Sequence, residues 1–349
     1  MELAKRVEKL IIFYVQGEIG KNTPKNVIFI KIKAPTRIPR FLRCLFLIFF
    51  KSIYIVGKVK NQGIDALYIL SGFWDQNIFL VVSKIARKPF IVRLRGEEWR
   101  VRRLSKYWRT LLPLMKLYDT IEKFALNQAN QIICIHKFLE EEAIAHGVKK
   151  EKIVTVHHGV SSDLFKPSRK EQIKKKFTVC CVSRLVREKR IEFLLKAVKN
   201  LNVEVIVIGS GKEEYVENLK KKAPINVKFF GYVEHEKLPE YINYADIVVS
   251  PRNFGARARA WERNLLEAMS CGKPVIAAVS ARAYSAIGFK GWPIKSNEVE
   301  GLRRAIIEAS QTPKEVLEEM GRANREIILK EFNWGITYTK ILRIIESYC

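Results

Sequence analysis

Short apolar runs rich in β-branched and aromatic residues alternate with longer amphipathic stretches along most of the chain. Residues 27–32, 90–94 and 203–208 have the length and composition of strands, while residues 119–130 and 191–200 have the periodicity of helices. Short strands that are joined by helices predict parallel sheets built from βαβ units. We therefore expect an α/β fold.

A polar and basic stretch, KPSRKEQIKKK at residues 166–176, divides this pattern into two halves of similar size. Each half alternates strands and helices, which predicts two Rossmann-like domains that face each other across a cleft. We set their bounds at 1–168 and 169–333. A helical region over 313–348, interrupted around 333–335, ends the chain. Open α/β sheets bind ligands at the carboxyl ends of their strands, so we expect the chemistry there.

The charge of the chain is strongly positive and unevenly distributed. The formal net charge is +27, and residues 1–110 hold 23 basic and 7 acidic residues. Such a surface attracts polyanions, which include nucleic acid, anionic lipid headgroups and phosphorylated substrates. A lysine-rich surface that reflects the host's composition or a high working temperature is the alternative, and charge alone does not choose between them.

The apolar segments and cysteines predict a cytoplasmic protein. Residues 44–50 form the longest unbroken apolar stretch of the segment 41–57, well short of the ~20 residues of a spanning helix. The charged start MELAKRVEKL does not resemble a signal peptide. The six cysteines lie mostly in apolar runs without metal-binding spacing, which indicates a reducing compartment and no structural metal.

Two cations follow the apolar run 177–182. Arg184 and Lys189 stand five positions apart in SRLVREK, a turn that leads into a helix. A strand end that feeds a helix favours anions, and an arginine with a lysine there makes a candidate diphosphate clamp. A solvated basic turn is the alternative.

Two later features are generic when each is taken alone. The turn Gly209-Ser210-Gly211 follows the run 203–208, and tight turns use glycine for backbone geometry. Glu267 lies at the start of LLEAMSCGKPVIAA, as its third residue, where a carboxylate caps a helix, is solvated or accepts from ribose hydroxyls.

Taken together and in this order, the motifs resemble those of retaining glycosyltransferases of family 4. The motifs of that family are, in order, GRLxxEKG, a glycine turn, G-[FY]-V and E-x7-E-A-M-x-C-G-x-P-V. The corresponding segments of this chain are SRLVREKR, VIGSGKEE, FFGYVEHEKL and RAWERNLLEAMSCGKPV. The segments KPFIVRLRGEEW, HHGVSSDLFKP and KEFNWGITYTKILRIIE resemble further family motifs, so the resemblance covers nearly the whole chain. It implies the GT-B fold, in which residues 334–349 pack back on the first domain.

The resemblance also implies roles for the donor-binding residues. Arg184 and Lys189 would hold the donor diphosphate and stabilise the leaving nucleotide without a metal. Glu267 would accept from the ribose hydroxyls, next to the glycine turn at Gly209. The remaining donor contacts would come from the backbone, that of Trp261, Glu262 and Arg263 at the distal phosphate and sugar and that of Tyr232 and Val233 at the base.

Two departures from the family pattern concern the sugar. Arg259 stands where the family has the glutamate that contacts the transferred sugar, and Glu262 replaces a glycine or proline and could substitute only if the loop is remodelled. The family's HG pair reads Arg95-Gly96, followed by Glu97. Arg95 can bind a donor hydroxyl or phosphate, and Gly96 and Glu97 would lie on the acceptor side.

A third departure is at the front end. MELAKRVEKLIIFYVQGE resembles the family's first helix and second strand. Either Met1 is an internal start and the family's first strand and glycine-rich loop precede it, or this protein lacks that element. We expect an extended upstream coding region to add roughly 20–30 residues that end in a glycine-rich turn, the size of a βα unit. A stop codon directly upstream would contradict this.

The expected activity is the retaining transfer of a hexose-like sugar from a nucleotide-diphosphate sugar, most simply a UDP- or GDP-sugar, with no cofactor or metal. The acceptor would be a glycan or a lipid-linked molecule. Residues 37–51 are the candidate contact with an anionic membrane surface, and an ordinary amphipathic core helix is the favoured alternative for this segment. Nucleic acid is disfavoured, because the chain carries no helix-turn-helix, zinc or stacking motif. The alternative is a catalytically degenerate GT-B protein that binds nucleotide or glycan without turnover.

Overall fold

The computed structural model describes residues 2–14, 24–31, 52–70, 73–94, 112–168, 176–252, 262–278, 288–294 and 298–349. The chain divides into two compact units, of which the first holds residues 1–158 with 337–349 and the second holds residues 159–336. Parallel strands that alternate with helices build both units, and the expected α/β fold is confirmed.

Within its described residues, the first unit contains two parallel sheets. The strands β1 (Leu10–Tyr14) and β2 (Val27–Lys31) pair with each other. A second sheet runs in the order β3 (Leu67–Leu70), β4 (Phe90–Leu94), β5 (Gln131–Cys134) and β6 (Ile153–Thr155). The helices are α1 (Ser52–Asn61), α2 (Phe73–Ala86), α3 (Leu112–Gln128) and α4 (Lys137–Ala145).

Both faces of this four-stranded sheet are buried, as alternate residues of β4 illustrate. Phe90 and Val92 pack into a core with the helices, while Ile91 points into a second cluster around Ile341. Ile341 belongs to α11 (Trp334–Glu346), the last helix of the chain. The apolar face of this helix therefore completes the first unit.

In the second unit, six of the described strands form one parallel sheet. Its order is β12 (Gly291–Ile294), β11 (Val275–Ala278), β10 (Ile247–Ser250), β7 (Phe177–Val182), β8 (Val203–Ile208) and β9 (Val227–Gly231). The helices are α5 (Ile191–Ala197), α6 (Glu213–Lys221), α7 (Leu238–Tyr244), α8 (Arg263–Ser270), α9 (Val299–Gln311) and α10 (Lys314–Glu331). Cores lie on both faces, with Cys181 in one and Cys180 in the other.

Three details differ from the sequence pattern or add to it. The strand β12 was not predicted, and α5 ends at Ala197 rather than near residue 200. The apolar segment 41–57 lies largely outside the described residues, and α1 begins at Ser52. None of the described helices combines the length and the apolar character that a crossing of the bilayer requires.

Candidate functional site

The six-stranded sheet reverses its direction of growth next to β7. From β7 the chain adds β8 and then β9 on one side, and it then places β10 and β11 on the other side. Where the order of parallel strands reverses, the loops at the carboxyl ends diverge and leave a crevice that binds ligands. The sheet topology therefore places a candidate site at the ends of β7 and β10.

Backbone hydrogen bonds tie together the loops that follow three adjacent strands. Ser183 donates its amide to Ile208 O at 2.9 Å, and Leu185 donates to Ser210 O at 2.8 Å. The amide of Gly209 in turn donates to Gly231 O at 2.7 Å. The turn that carries Arg184 is thus held against the turn after β8.

This contact requires glycine at two positions. Gly209 has a φ of +142°, and a Cβ atom on it would lie 1.8 Å from Ser183 O. A Cβ atom on Gly211 would lie 2.0 Å from Leu185 O. Any side chain at either position would push the two loops apart, so the glycine turn is required for the shape of the site.

A cavity of about 490 Å³ opens at this edge of the sheet. Its volume is in the range of small-molecule sites. Charged side chains dominate its polar lining: Arg184, Lys189, Arg252, Arg263, Glu262 and Glu267. When both carboxylates are ionised, the four cations leave an excess of two positive charges, so the cavity attracts a dianion.

At one end of the cavity, which we call the Lys189 end, a carboxylate is held by three donors. Glu262 is only 5% exposed, and its oxygens accept from Lys189 Nζ and Ser250 Oγ. Arg252 Nη1 also donates to Glu262 Oε1 at 3.2 Å. Because Lys189 follows β7, whereas Ser250 ends β10 and Arg252 and Glu262 follow it, this cluster spans the crevice.

At the other end, the His235 end, a second buried carboxylate meets an imidazole. Glu267 is 4% exposed, and its Oε1 lies 2.8 Å from His235 Nε2. The centroid of the His235 ring lies 5.0 Å from that of Phe165, which fixes the ring from one side. Burial raises the pKa of Glu267, and the hydrogen bond with His235 opposes this rise.

The structure brings together all of the predicted site residues that it describes. They line the one cavity: Arg184, Lys189, Gly209, Tyr232, Val233, Glu262, Arg263 and Glu267. The other predicted residues lie outside the described part of the chain: Arg95, Gly96, Glu97, Arg259 and Trp261. Glu262 is the hypothetical replacement for the family's sugar-binding glutamate. Its carboxylate oxygens accept hydrogen bonds from Lys189 and Ser250.

Three polar residues of the cavity lining are not singled out by the sequence motifs. They are Arg252, His235 and Asn264, of which Asn264 donates from Nδ2 to Val182 O at 2.6 Å. The same holds for Ser250, which donates to Glu262. His235 and Arg252 follow the ends of β9 and β10 within a few residues. Their position after a strand is the signal in the sequence that could identify them.

One group of potential metal ligands lies in the described part of the first unit. Asp119, Glu122 and His146 place one ligand atom each within 4.8 Å of one another. His146 Nε2 lies 4.0 Å from Glu122 Oε2. The residues of the cavity in the second unit do not contribute to this group.

The sequence of the second unit matches a known family. Residues 165–327 match the family described as glycosyl transferases group 1, and this stretch includes every residue that lines the cavity. The matched residues lie within the second unit, which is thus similar in sequence to that family. This match and the fold support a GT-B glycosyltransferase.

A relative from Corynebacterium glutamicum is named GDP-mannose-dependent monoacylated alpha-(1-6)-phosphatidylinositol monomannoside mannosyltransferase. It is 29% identical over 179 residues, which are 48% of this chain and 47% of that protein. The alignment with an uncharacterized glycosyltransferase of Methanocaldococcus jannaschii, 27% identical, covers 67% of this chain and 62% of that protein. The chain thus spans less than two thirds of the length of both relatives.

Solved structures show the same fold. A glycosyltransferase from Rickettsia africae superposes with a TM-score of 0.78 at 18% identity, covering 99% of this chain and 93% of that chain. The Anabaena protein HepE in complex with UDP superposes with a TM-score of 0.71 at 20% identity, covering 92% of this chain and 86% of that chain. These similarities confirm the GT-B fold that the sequence motifs imply.

Proposed function

We propose that this chain transfers a sugar from a nucleotide-diphosphate sugar to a glycan or lipid-linked acceptor, with retention of configuration and without a metal. The observation that carries the proposal is the cavity at the switch point of the second sheet. It combines clustered cations with a buried carboxylate inside the stretch that matches the glycosyl transferases group 1 family. HepE, which has the same fold, is known in complex with UDP.

In this proposal the diphosphate of the donor lies at the Lys189 end. Arg184 offers a planar donor and Lys189 a point charge, and both remain close to the phosphates as negative charge builds up on the leaving nucleotide. The excess of two positive charges in the cavity equals the charge of the diphosphate in a nucleotide sugar. The backbone of Glu262 and Arg263, together with Trp261, would contact the distal phosphate and sugar.

The nucleoside would lie at the His235 end. Glu267 accepts hydrogen bonds from the ribose hydroxyls, and the backbone of Tyr232 and Val233 lies against the base. A buried carboxylate binds hydroxyl donors well, because little water competes for its oxygens. His235 holds one of these oxygens in place through the 2.8 Å contact.

The acceptor is assigned by chemical class only. The corynebacterial relative is named for a phosphatidylinositol mannoside acceptor, and the basic first 110 residues of this chain suit a phosphorylated or lipid-linked acceptor. We place the protein in the cytoplasm, with peripheral contact to the inner membrane face as a further option. The buried free thiols Cys134, Cys180, Cys181 and Cys271 agree with a reducing compartment.

The first experiment is a thermal-shift measurement with UDP, GDP, ADP and their sugar conjugates. Ligand at 100 times its Kd stabilises a protein by about 2.7 kcal/mol, which gives a clear rise in Tm. We expect one base to be preferred and the rise to disappear in Arg184→Ala. Glu319→Gln, an exposed substitution on α10, is the matched control and should keep the rise. A rise with none of the nucleotides would contradict the proposal.

Retention and metal independence need a turnover assay with the preferred donor. We expect NMR of the first product to show the anomeric configuration of the donor, and we expect the rate to survive excess EDTA. An inverted product would overturn the mechanism, and a rate restored only by added Mn²⁺ or Mg²⁺ would overturn metal independence.

The second candidate function is nucleotide binding without turnover. The observation that favours it is the ion pair of Lys189 with Glu262, which already engages one phosphate-binding cation. Under this alternative the thermal shift is present, but neither donor hydrolysis nor transfer to lipid or glycan extracts is measurable.

A further inference from the structure

Glu262 is unusual among the charged residues of the cavity, because it brings a fixed negative charge to the place where an anion is expected to bind. Its carboxylate is paired with Lys189 and with Arg252, and it is nearly excluded from solvent. Two cations therefore face an internal anion before any ligand is present.

The position of this carboxylate is set by the scaffold. Glu262 directly precedes α8 and makes no side-chain cap to its amides, so its side chain is turned toward the crevice instead. Ser250 at the end of β10 is 2% exposed and donates its hydroxyl to the other carboxylate oxygen. A carboxylate that is held from both sides in this way keeps its place when a ligand enters.

A fixed negative charge discriminates between ligands that differ in charge. The diphosphate of a nucleotide sugar carries two negative charges, while a free nucleoside diphosphate carries close to one more at neutral pH, because its terminal phosphate ionises again near pH ~6. Repulsion by a nearby carboxylate is greater for the more highly charged ligand, and it is weakly screened at a buried site.

We propose that Glu262 is a specificity-determining residue that lowers the affinity of the cavity for the free nucleoside diphosphate relative to the nucleotide sugar. This inference rests on the proposed function, since the free nucleoside diphosphate is the product of the transfer. The carboxylate then has two effects: it favours donor over product at equilibrium, and it speeds the release of product after the sugar has left.

The test compares the Kd of UDP with that of UDP-glucose, and the Kd of GDP with that of GDP-mannose, by calorimetry at pH 7.5 and low salt. The variant is Glu262→Gln, which keeps the shape and the acceptor oxygen but removes the charge. Glu319→Gln removes an exposed carboxylate from α10 and is the control. We expect Glu262→Gln to strengthen binding of the nucleoside diphosphate about three- to tenfold more than that of the sugar conjugate. The control should leave the ratio unchanged.

An unchanged ratio of the two Kd values in Glu262→Gln would overturn the inference. Equal weakening of both ligands would also overturn it, because it would mean that Glu262 merely positions Lys189. If Glu262→Gln does not fold, Glu262→Asp keeps the charge and moves it back by one methylene, and a shift of the ratio in the same direction but of smaller size is expected. If the wild-type protein binds none of the four ligands, the proposed function itself fails, which is a separate result.

Discussion

The two ends of the cavity each bury one glutamate, and the two environments are opposite in kind. Glu262 lies among two cations and a hydroxyl, while Glu267 meets an imidazole whose ring packs against Phe165. Equal burial therefore does not produce equal chemistry, because the partners of a buried carboxylate decide how its charge is balanced. The Lys189 end suits phosphate, and the His235 end suits neutral hydroxyls.

The largest expected effect comes from a substitution that pushes apart the loops after β7 and β8. Gly209→Ala places a Cβ atom 1.8 Å from Ser183 O at a φ that disfavours side chains, so we expect a loss of about 3–5 kcal/mol in the free energy of unfolding. We also expect loss of the nucleotide-induced rise in Tm. Urea denaturation measures the first effect and thermal shift the second.

The matched control for Gly209→Ala is Gly57→Ala in α1, where a Cβ atom would meet nothing within 4 Å. This helix position should gain about 0.5–1 kcal/mol. Equal tolerance of alanine at both positions would show that the two loops do not depend on their close contact.

The next largest effect is expected from a substitution that removes one cation from the Lys189 end alone. Lys189→Met leaves the buried Glu262 with one cation fewer, and we expect a loss of about 3 kcal/mol in unfolding free energy. The double variant Lys189→Met/Glu262→Gln removes the uncompensated charge and should recover most of this loss. If the single and double variants unfold at the same urea concentration below that of wild type, the loss does not come from an uncompensated charge on Glu262.

The pH dependence of the free energy of unfolding tests the His235 end. The folded protein raises the pKa of Glu267 above its unfolded value, so the folded state holds this proton to higher pH. Stability from this group is therefore present below the ordinary glutamate pKa of about 4.3 and is lost as pH rises through the raised value. Glu267→Gln removes this loss, and its unfolding free energy relative to wild type should increase across that window.

The effect of Glu267→Gln should be smaller than that of Lys189→Met. His235→Gln is the companion variant: it removes the interaction that lowers the pKa of Glu267, so the window should extend to higher pH. A difference between wild type and Glu267→Gln that stays constant from pH 4 to pH 8 would contradict a titrating Glu267.

The smallest expected effect concerns a residue that belongs to neither carboxylate. Tyr232 lines the cavity with 74% of its surface exposed, and we assign its backbone rather than its side chain to the base. Tyr232→Ala should leave both the free energy of unfolding and the free energy of nucleotide binding within about 0.5 kcal/mol of wild type. A loss of about 1–3 kcal/mol in nucleotide binding would instead indicate stacking of the side chain on the base.

The sequence predicts the strands of the second sheet well where burial on both faces makes them continuously apolar, as in β7 and β8. It fails at β12, because Gly291 and Pro293 are poor strand residues and the run is only four residues long. The structure explains this exception: β12 is at the edge of the sheet beside β11, where a proline is tolerated.

The sequence also predicts eight of the residues that line the cavity, but not which of them pair. Lys189 and Glu262 are 73 positions apart, and they meet because β10 is inserted beside β7. Periodicity along the chain cannot give this sheet order. The motifs therefore assign Glu262 to a backbone contact or to the role of the glutamate that Arg259 replaces, whereas its side chain pairs with the lysine assigned to the diphosphate.

The way the chain divides into its two units has a consequence for the order of synthesis. The second unit is one continuous segment, whereas the first unit needs residues 337–349, including Ile341 that packs against Ile91 and Ile133. On the ribosome, the first residues made must wait for the last ones before their sheet is covered. A premature stop near residue 337 would thus leave the sheet of the first unit partly uncovered, although residues 1–158 had all been translated.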